Sequence, residues 1–241
     1  MIPAEHSVSL LRLISPDVQA ASRWLHATLG WSIEPAKNLG QGVWFARNAQ
    51  GVVALLTSTP PQRAEDAAHW DHFIGVPSIA MTLQRADVLG WKTMVRPVQM
   101  ERLGSIALLH DPTGVPLWLW QGRVLFGFPI TTGPGGIAGF EIRSQNPAAT
   151  GQGLTAMLGW SQDGQRLAVP GPTTAWVRGV PREGMPGHWL TAIAVSDLSA
   201  TVAAALAAGG RLVEPASEHP TLGTCALVAN DAAGPLLLSQ I

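Results

Sequence analysis

The sequence contains no tyrosine and only one cysteine, Cys225. A single cysteine excludes an internal disulfide and a zinc site built from cysteines. Because Cys225 lies in the apolar run TCALVA, the sequence predicts a small buried side chain rather than a reactive thiol. Packing alone must therefore hold the fold together.

Charge is also scarce, because Asp, Glu, Lys and Arg make up 13% of the 241 residues and leave a net charge of −1. A chain without a strong charge of one sign has no electrostatic basis for binding nucleic acid or an anionic membrane. No apolar run reaches the roughly 18 residues of a membrane span, and the first residues lack a basic segment followed by an apolar core. These absences predict a soluble cytoplasmic protein that binds neither nucleic acid nor membrane.

Apolar residues are plentiful at 46%, and the aromatic set is unusual, with ten tryptophans and five phenylalanines. Such a content is ample for packed cores. A tryptophan-rich interior has two interpretations: it is plain core, or it lines a pocket for a flat organic ligand.

An internal repeat organises the chain. Residues 69–121 return as residues 188–240 with a shift of 119 (188 − 69), which places His69-Trp70 on His188-Trp189 and Gly90 on Gly209. A second pair of segments, ending in Leu-Gly-Trp at 29–31 and at 158–160, repeats with a shift of 129 (158 − 29). Repeats of this kind decide the architecture before any single element does.

Each repeated segment has the pattern of a strand, a helix and three further strands. In the first, an apolar strand at 8–14 precedes a helix that begins at Ser15-Pro16-Asp17 and ends at Gly30, with strands near 31–35, 42–47 and 52–58. The predicted fold class is α+β, with four β-α-β-β-β modules paired into two tandem domains. Each domain has a curled sheet around a cleft, because a lone module leaves one sheet face exposed.

The predicted domain boundaries follow from these modules. The first domain covers residues 1–122, with modules at about 7–58 and 69–121 joined by a polar, proline-bearing connector at 59–68. A Gly/Pro-rich linker covers 123–136. The second domain covers 137–241, with modules at about 137–180 and 188–240.

The chain resembles the vicinal oxygen chelate superfamily of glyoxalase, bleomycin-resistance and dioxygenase proteins, and in particular two-domain glyoxalase-like proteins. The resemblance covers nearly the whole chain. It rests on the two Leu-Gly-Trp helix ends at 29–31 and 158–160, on the helix ends Gly90-Trp91 and Gly209-Gly210, and on the Asp-Pro-Thr-Gly turn at 111–114. One fold hosts many chemistries, so the reaction does not follow from it.

Metal-binding members place His or Glu on the first strand of each module and near the end of the last strand. Counting from the helix starts and turn glycines puts the corresponding positions of this chain at Leu10, Asp71, Gly139, Leu190, Trp118 and Leu238. Only Asp71 can ligate, whereas a divalent ion needs about three protein ligands. We therefore predict no metal and no other cofactor in either domain. The repeated His69 and His188 are predicted to bond backbone at the module junctions.

Alternation along the strands predicts the residues that face each cleft. In the first cleft they are Arg12, Asp71, Phe73, Trp118 and Trp120, with Leu10 and Trp44 nearby. Arg12 and Asp71 would either orient a polar ligand or pair with each other. The second cleft presents Glu141 and Arg143 among small aliphatic residues, Ala192, Ala194, Leu236 and Leu238, and is interpreted as more structural.

The leading hypothesis is metal-independent binding of a small planar or aromatic molecule in the tryptophan-lined cleft of the N-terminal domain. The alternative is a cofactor-free isomerase, lyase or cyclase of secondary metabolism. It would use Asp71 or Glu141 as acid/base and Arg12 as electrostatic stabiliser. A third possibility is a non-catalytic interaction protein. The predicted partner is a small-molecule ligand or substrate, and the sequence leaves monomer and homodimer equally open.

Overall fold

The computed structural model describes residues 3–59 and 67–241. Residues 60–66, most of the predicted connector, lie outside the described residues. The described chain contains 16 strands and four helices, in the order of four β-α-β-β-β modules. The predicted α+β fold class is confirmed.

The first two modules contain the first ten elements. In the first module these are β1 (Val8–Ser15), α1 (Val18–Leu29), β2 (Ser32–Pro35), β3 (Val43–Asn48) and β4 (Gly51–Ser58). In the second they are β5 (His69–Gly75), α2 (Ile79–Val88), β6 (Lys92–Met100), β7 (Gly104–His110) and β8 (Pro116–Gly122).

The last two modules repeat the arrangement. The third has β9 (Ile137–Ser144), α3 (Pro147–Leu158), β10 (Ser161–Asp163), β11 (Arg166–Ala168) and β12 (Thr174–Gly179). The fourth has β13 (His188–Val195), α4 (Leu198–Ala207), β14 (Arg211–His219), β15 (Gly223–Asn230) and β16 (Gly234–Gln240).

Short polar side chains start the helices. Asp17 accepts a hydrogen bond from the backbone N–H of Ala20 at 2.9 Å, and Asn146 does the same for Ala149 at 3.1 Å. These bonds satisfy backbone donors that the first helical turn leaves open. At the other end, Gly30 closes α1 at a φ of 68°, in the left-handed region that glycine adopts without steric cost. The helix ends predicted from the repeat are therefore correct.

The strands form two eight-stranded mixed sheets. The first has the order β2-β3-β4-β1-β5-β8-β7-β6 and the second the order β10-β11-β12-β9-β13-β16-β15-β14. Modules thus share sheets in pairs, the first with the second and the third with the fourth. Within a module, the first and last strands run parallel, with Arg12 opposite Leu55 and Phe73 opposite Trp118.

The chain divides into two compact units, each made of segments whose Cα atoms lie close together in space. The first unit consists of Met1–Leu10, His72–Pro129 and Phe140–Trp189. The second unit consists of Leu11–Asp71, Ile130–Gly139 and Leu190–Ile241. The domain boundaries at 122 and 137 follow the sheets rather than these units and stay a prediction.

Tryptophans fill the interior of both units. The buried ones are Trp24, Trp31, Trp70, Trp91, Trp120, Trp160 and Trp189. Their indole N–H groups donate to backbone carbonyls, as from Trp70 to Ala233 at 2.9 Å in the second unit and from Trp189 to Pro116 at 2.8 Å in the first. The core interpretation therefore holds for most of the ten tryptophans. Trp44, Trp118 and Trp176 are only half-buried.

The fourth module shows a register that differs from the prediction. Ala192 lies opposite Leu237, and Ile193 lies opposite Leu238. Leu237 therefore shares a face with Ala192, whereas Leu236 and Leu238 point to the other side. The prediction counted from Gly234, which lies one residue beyond the position that corresponds to Gly114 in the repeat, and a slip of one residue exchanges the two faces.

Leu237 belongs to a buried aliphatic cluster in the second unit, together with Leu190, Ala192, Leu222, Cys225 and Leu227. Cys225 is 4% exposed, so the prediction of a small buried side chain is confirmed. This face of the fourth module is thus packed with apolar side chains. That packing agrees with a structural role for the fourth-module side of the second cleft.

Candidate functional site

Arg12 and Asp71 form an ion pair in the second compact unit. Arg12 donates from Nη2 to Asp71 Oδ2 at 2.6 Å and from Nε to the same oxygen at 3.1 Å. The Asp71 side chain is 8% exposed and that of Arg12 is 19% exposed. Of the two alternatives open for these residues, the geometry shows direct pairing.

Phe73 and Trp118 stack in the first compact unit. They lie opposite each other on β5 and β8, and their ring centroids are 5.4 Å apart with an interplanar angle of 30°. Phe73 is buried, whereas Trp118 keeps part of its surface exposed. Because alternate strand residues project to one side, Trp120 projects to the same side of β8 as Trp118. Phe73, Trp118 and Trp120 therefore share one face of the sheet, and their role in ligand binding stays a prediction.

Trp120 lines a cavity of about 240 Å³ in the same unit. Its indole N–H donates a hydrogen bond to Leu125 O at 2.8 Å, so the rest of the ring presents an apolar surface to the cavity. The cavity walls also include Pro3, Val76, Pro77, Gly122 and Phe126. Glu5 is the one ionisable residue of the lining, and Gln121 is a second polar group. The cavity is thus aromatic and apolar with few polar groups, as small-molecule sites are.

Trp44 does not lie where the sequence predicted. It pairs with Leu56, which shares a face with Leu13, whereas its neighbour Phe45 pairs with Leu55, which lies opposite Arg12. Phe45 is therefore the aromatic residue on the Arg12 face of β3. Position alone did not reveal which of two adjacent aromatic residues faces inward.

Leu10 is buried, with 6% of its surface exposed. Its neighbour Ser9 donates its hydroxyl to Phe73 O at 3.4 Å and lines the Trp120 cavity. No contact in the described residues tests the predicted role of Leu10 in ligand binding, which stays a prediction.

Glu141 is held by two arginines in the first compact unit. Arg143 Nε donates to Glu141 Oε1 at 2.5 Å, and Arg178 Nη1 donates to Oε2 at 3.3 Å. The Glu141 side chain is 0% exposed. A carboxylate whose two oxygens both accept from guanidinium groups and that has no solvent contact is poorly placed to take a proton from a substrate.

The described side chains do not form the donor set that a metal ion requires. Within the ranges 3–59 and 67–241, no three His, Cys, Asp or Glu residues cluster in a way that could hold an ion. Asp71, the one ligating residue among the predicted positions, already bonds the Arg12 guanidinium, whose positive charge opposes a cation. The metal chemistry of the resembling superfamily therefore does not fit these residues.

The repeated histidines are structural, as predicted. His69 Nδ1 lies 3.0 Å from Ala67 O, and His188 Nδ1 lies 2.9 Å from Pro186 O. Each imidazole thus bonds the backbone just before its own strand.

No helix within the described ranges is long and apolar enough to cross a membrane.

Sequence reasoning missed the cavity residues Glu5 and Phe126. Phe126 lies in the stretch GRVLFGFPI, which was predicted to be a linker, and the one signal there was a pair of aromatic residues around Gly127. Phe128 N donates to Ser9 O at 2.8 Å, which holds this segment against β1. Together with the bond from the Trp120 indole to Leu125 O, that bond holds the segment so that Phe126 and Trp120 line one cavity.

The architecture and the relatives of the chain agree. CFP32 of Mycobacterium tuberculosis, which carries a provisional glyoxylase name, is 26% identical over 231 residues, 90% of this chain and 88% of that protein. The Mn(II)-bound glyoxalase from Novosphingobium aromaticivorans superimposes with a TM-score of 0.65 at 12% identity, covering 98% of this chain and 82% of that one. In sequence and in fold, the chain is therefore similar to proteins of the vicinal oxygen chelate superfamily.

Other proteins similar to the chain have biosynthetic names. The anthracycline biosynthesis protein DnrV of Streptomyces peucetius is 25% identical over 233 residues, 86% of this chain and 83% of that protein. No protein-family profile matches the chain. The similarity therefore concerns the fold, and any function must follow from the side chains of this chain.

Proposed function

We propose that the protein binds a small planar or aromatic molecule without a metal, in the aromatic cleft of its N-terminal half. The aromatic cleft is defined here by Trp120 and Phe126, which line the cavity, together with the pair of Phe73 and Trp118 on the same face of β5 and β8. The single observation that carries this proposal is the cavity of about 240 Å³ lined by Trp120 and Phe126.

The shape and chemistry of the cleft favour a flat ligand. Trp120 and Phe126 both line the cavity and present ring surface to it, so a planar ligand can pack against them. The cavity is smaller than the roughly 300–1,000 Å³ of drug-sized sites. We therefore infer a ligand of one or two fused rings, or the end of a larger one.

Metal independence is the second part of the proposal. Its support is the donor set: Asp71 stands alone among the predicted ligand positions and is paired with Arg12 at 2.6 Å. The other five predicted positions hold leucine, glycine or tryptophan side chains. None of these provides the oxygen, nitrogen or sulfur ligands that divalent ions require.

Isothermal titration with 1-naphthol tests the cleft. Replacing a ring that lines the cavity, by Phe126→Ala or Trp120→Leu, should weaken 1-naphthol binding about tenfold, since a lost aromatic contact removes about 1 kcal/mol beyond its buried area. Trp44→Leu is the matched control, because Trp44 is half-buried and lies on the face opposite Arg12. Equal affinities in all three variants would refute the assignment of the cleft.

A second candidate is a cofactor-free enzyme of secondary metabolism. It is favoured by the similarity to DnrV, whose name places that protein in anthracycline biosynthesis. Asp71 would act as acid/base and Arg12 as electrostatic stabiliser, while burial and double pairing disfavour Glu141. A compound that is turned over by the native protein, but only bound by Asp71→Asn, would favour this candidate over pure binding.

A further inference from the structure

A tryptophan flanked by two arginines occupies one face of the third module. Trp176 on β12 lies opposite Arg166 on β11, and Arg178 follows two residues later on β12. Directly opposite residues share a face, and so do alternate residues of one strand. Arg166, Trp176 and Arg178 therefore project to the same side of the second sheet.

These side chains remain accessible. Arg166 and Arg178 are exposed, and Trp176 is half-buried. The Arg178 side chain is 47% exposed although one of its nitrogens bonds Glu141. This cluster is thus a surface with an aromatic ring at its centre and a guanidinium group at either side.

Glu141 orients Arg178. On the same face, β9 places Glu141 opposite Trp176 and Arg143 opposite Arg178. Glu141 accepts from Arg143 at 2.5 Å and from Arg178 at 3.3 Å. A guanidinium group has five N–H donors, so one bond to Glu141 restricts Arg178 while leaving donors for another acceptor. The guanidinium is therefore partly ordered before any ligand arrives.

We propose that Trp176, Arg166 and Arg178 form a second ligand site, for a small aromatic carboxylate. A guanidinium group bonds a carboxylate through two parallel N–H donors, and an indole ring stacks on a second aromatic ring. The exposed Asp163 lies opposite Arg166 on the edge strand β10. Because directly opposite residues share a face, a ligand carboxylate competes with Asp163 for Arg166.

The site differs in chemistry from the aromatic cleft. The cleft is apolar with Glu5 as its ionisable residue, whereas the Trp176 surface carries two exposed guanidinium groups. The two sites should therefore select different ligands, a neutral flat molecule and an aromatic anion. This inference does not depend on the proposed function of the cleft.

19F NMR of the protein labelled with 5-fluorotryptophan tests the site, with the Trp176 signal assigned from Trp176→Phe. Adding 1-naphthoate should shift the Trp176 signal saturably, whereas the neutral 1-naphthamide should not. Arg166→Gln and Arg178→Gln should each raise the dissociation constant about threefold or more, as expected for a half-exposed ion pair. The dissociation constant of Arg178→Lys should lie between those of the native protein and Arg178→Gln, since lysine keeps the positive charge but lacks the two parallel N–H donors of a guanidinium group.

Arg96→Gln is the control, because Arg96 is exposed on β6 of the first sheet. Phe126→Ala should also leave the Trp176 response unchanged, which separates this site from the aromatic cleft. Three results would overturn the proposal: an unmoved Trp176 signal, an equal response to naphthamide, or a response that survives both arginine substitutions.

Discussion

Arg12 donates two hydrogen bonds to a single carboxylate oxygen of Asp71, at 2.6 Å from Nη2 and 3.1 Å from Nε. The two residues are 59 positions apart in the chain. In the position where metal-binding relatives are expected to carry a ligand, this protein thus has an anion that is neutralised by its own arginine. That relationship underlies the first two predictions.

Removing one member of this pair should destabilise the protein. Arg12→Met leaves the nearly buried Asp71 carboxylate without the guanidinium of Arg12, and we expect a loss of about 2–4 kcal/mol in the free energy of unfolding, measured in urea. Arg12→Met/Asp71→Leu should recover part of that loss, because the buried negative charge is then removed together with the guanidinium.

The exposed pair of Arg47 and Glu34 is the matched control, since its side chains are 37% and 54% exposed. Glu34→Gln should change the free energy of unfolding by less than about 1 kcal/mol, because solvent screens an exposed pair. Equal effects at the two pairs would show that burial of Asp71 contributes nothing.

Metal removal should leave the protein unaffected. After dialysis against EDTA, we expect the melting temperature to change by less than about 1 °C, and Mn²⁺, Zn²⁺ or Fe²⁺ should not raise it, because a ligand stabilises only the state that it binds. Calorimetric scans at matched ionic strength measure this. An increase of several degrees with one metal, abolished by Asp71→Asn, would contradict the metal-independent proposal.

Gly127 should tolerate no side chain. Its φ is +121°, and a Cβ atom would lie 2.2 Å from Ser9 O, a backbone atom that cannot move aside cheaply. We expect Gly127→Ala to cost about 3 kcal/mol or more in urea unfolding, as overpacking adds to backbone strain. Gly171→Ala has a similar φ of +111° but open space around the new Cβ, and should cost about 1 kcal/mol.

The same two glycine variants also test whether the position of Phe126 matters for ligand binding. Phe126 precedes it and lines the cavity, so Gly127→Ala should weaken 1-naphthol binding as well. Gly171→Ala should bind normally. Loss of binding in both variants would indicate a general loss of structure and not displacement of Phe126.

Cys225 should react only when the protein opens. It is 4% exposed and lies within the aliphatic cluster of the second unit. We expect reaction with a disulfide reagent to be at least about 100-fold slower in buffer than in denaturing urea, since exchange requires an opening fluctuation. With one cysteine in the chain, absorbance of the released thiolate reports this site alone. Rapid native modification would show that the cluster is loosely packed.

Local pattern was sufficient for the modules. The capping residue Asp17, the helix-ending Gly30 and the two shifts of the repeat predicted where helices begin and end and which modules share a sheet. Alternation also placed Arg12 and Asp71 correctly on one face. These features are legible because helix caps and strand alternation depend on neighbours within a few residues.

Register was harder. Alternation alone cannot decide whether Trp44 or Phe45 lies on the Arg12 face, because this depends on the pairing of Phe45 with Leu55. Alternation also predicted Leu238 in the place of Leu237, because the turn glycine before β16 lies one residue later in the repeat than the turn glycine before β8. Strand side chains repeat every second residue, so an error of one position reverses every assignment.

By itself the sequence determined the four modules, their pairing into two sheets and the lack of a metal-ligand set at the expected positions. The tertiary structure alone decided which tryptophans are core, that Arg12 neutralises Asp71, and that Phe126 meets Trp120 around a cavity. The physical reason is separation along the chain. Elements form from local preferences, whereas a site is made by side chains from distant strands whose approach depends on the whole packed fold.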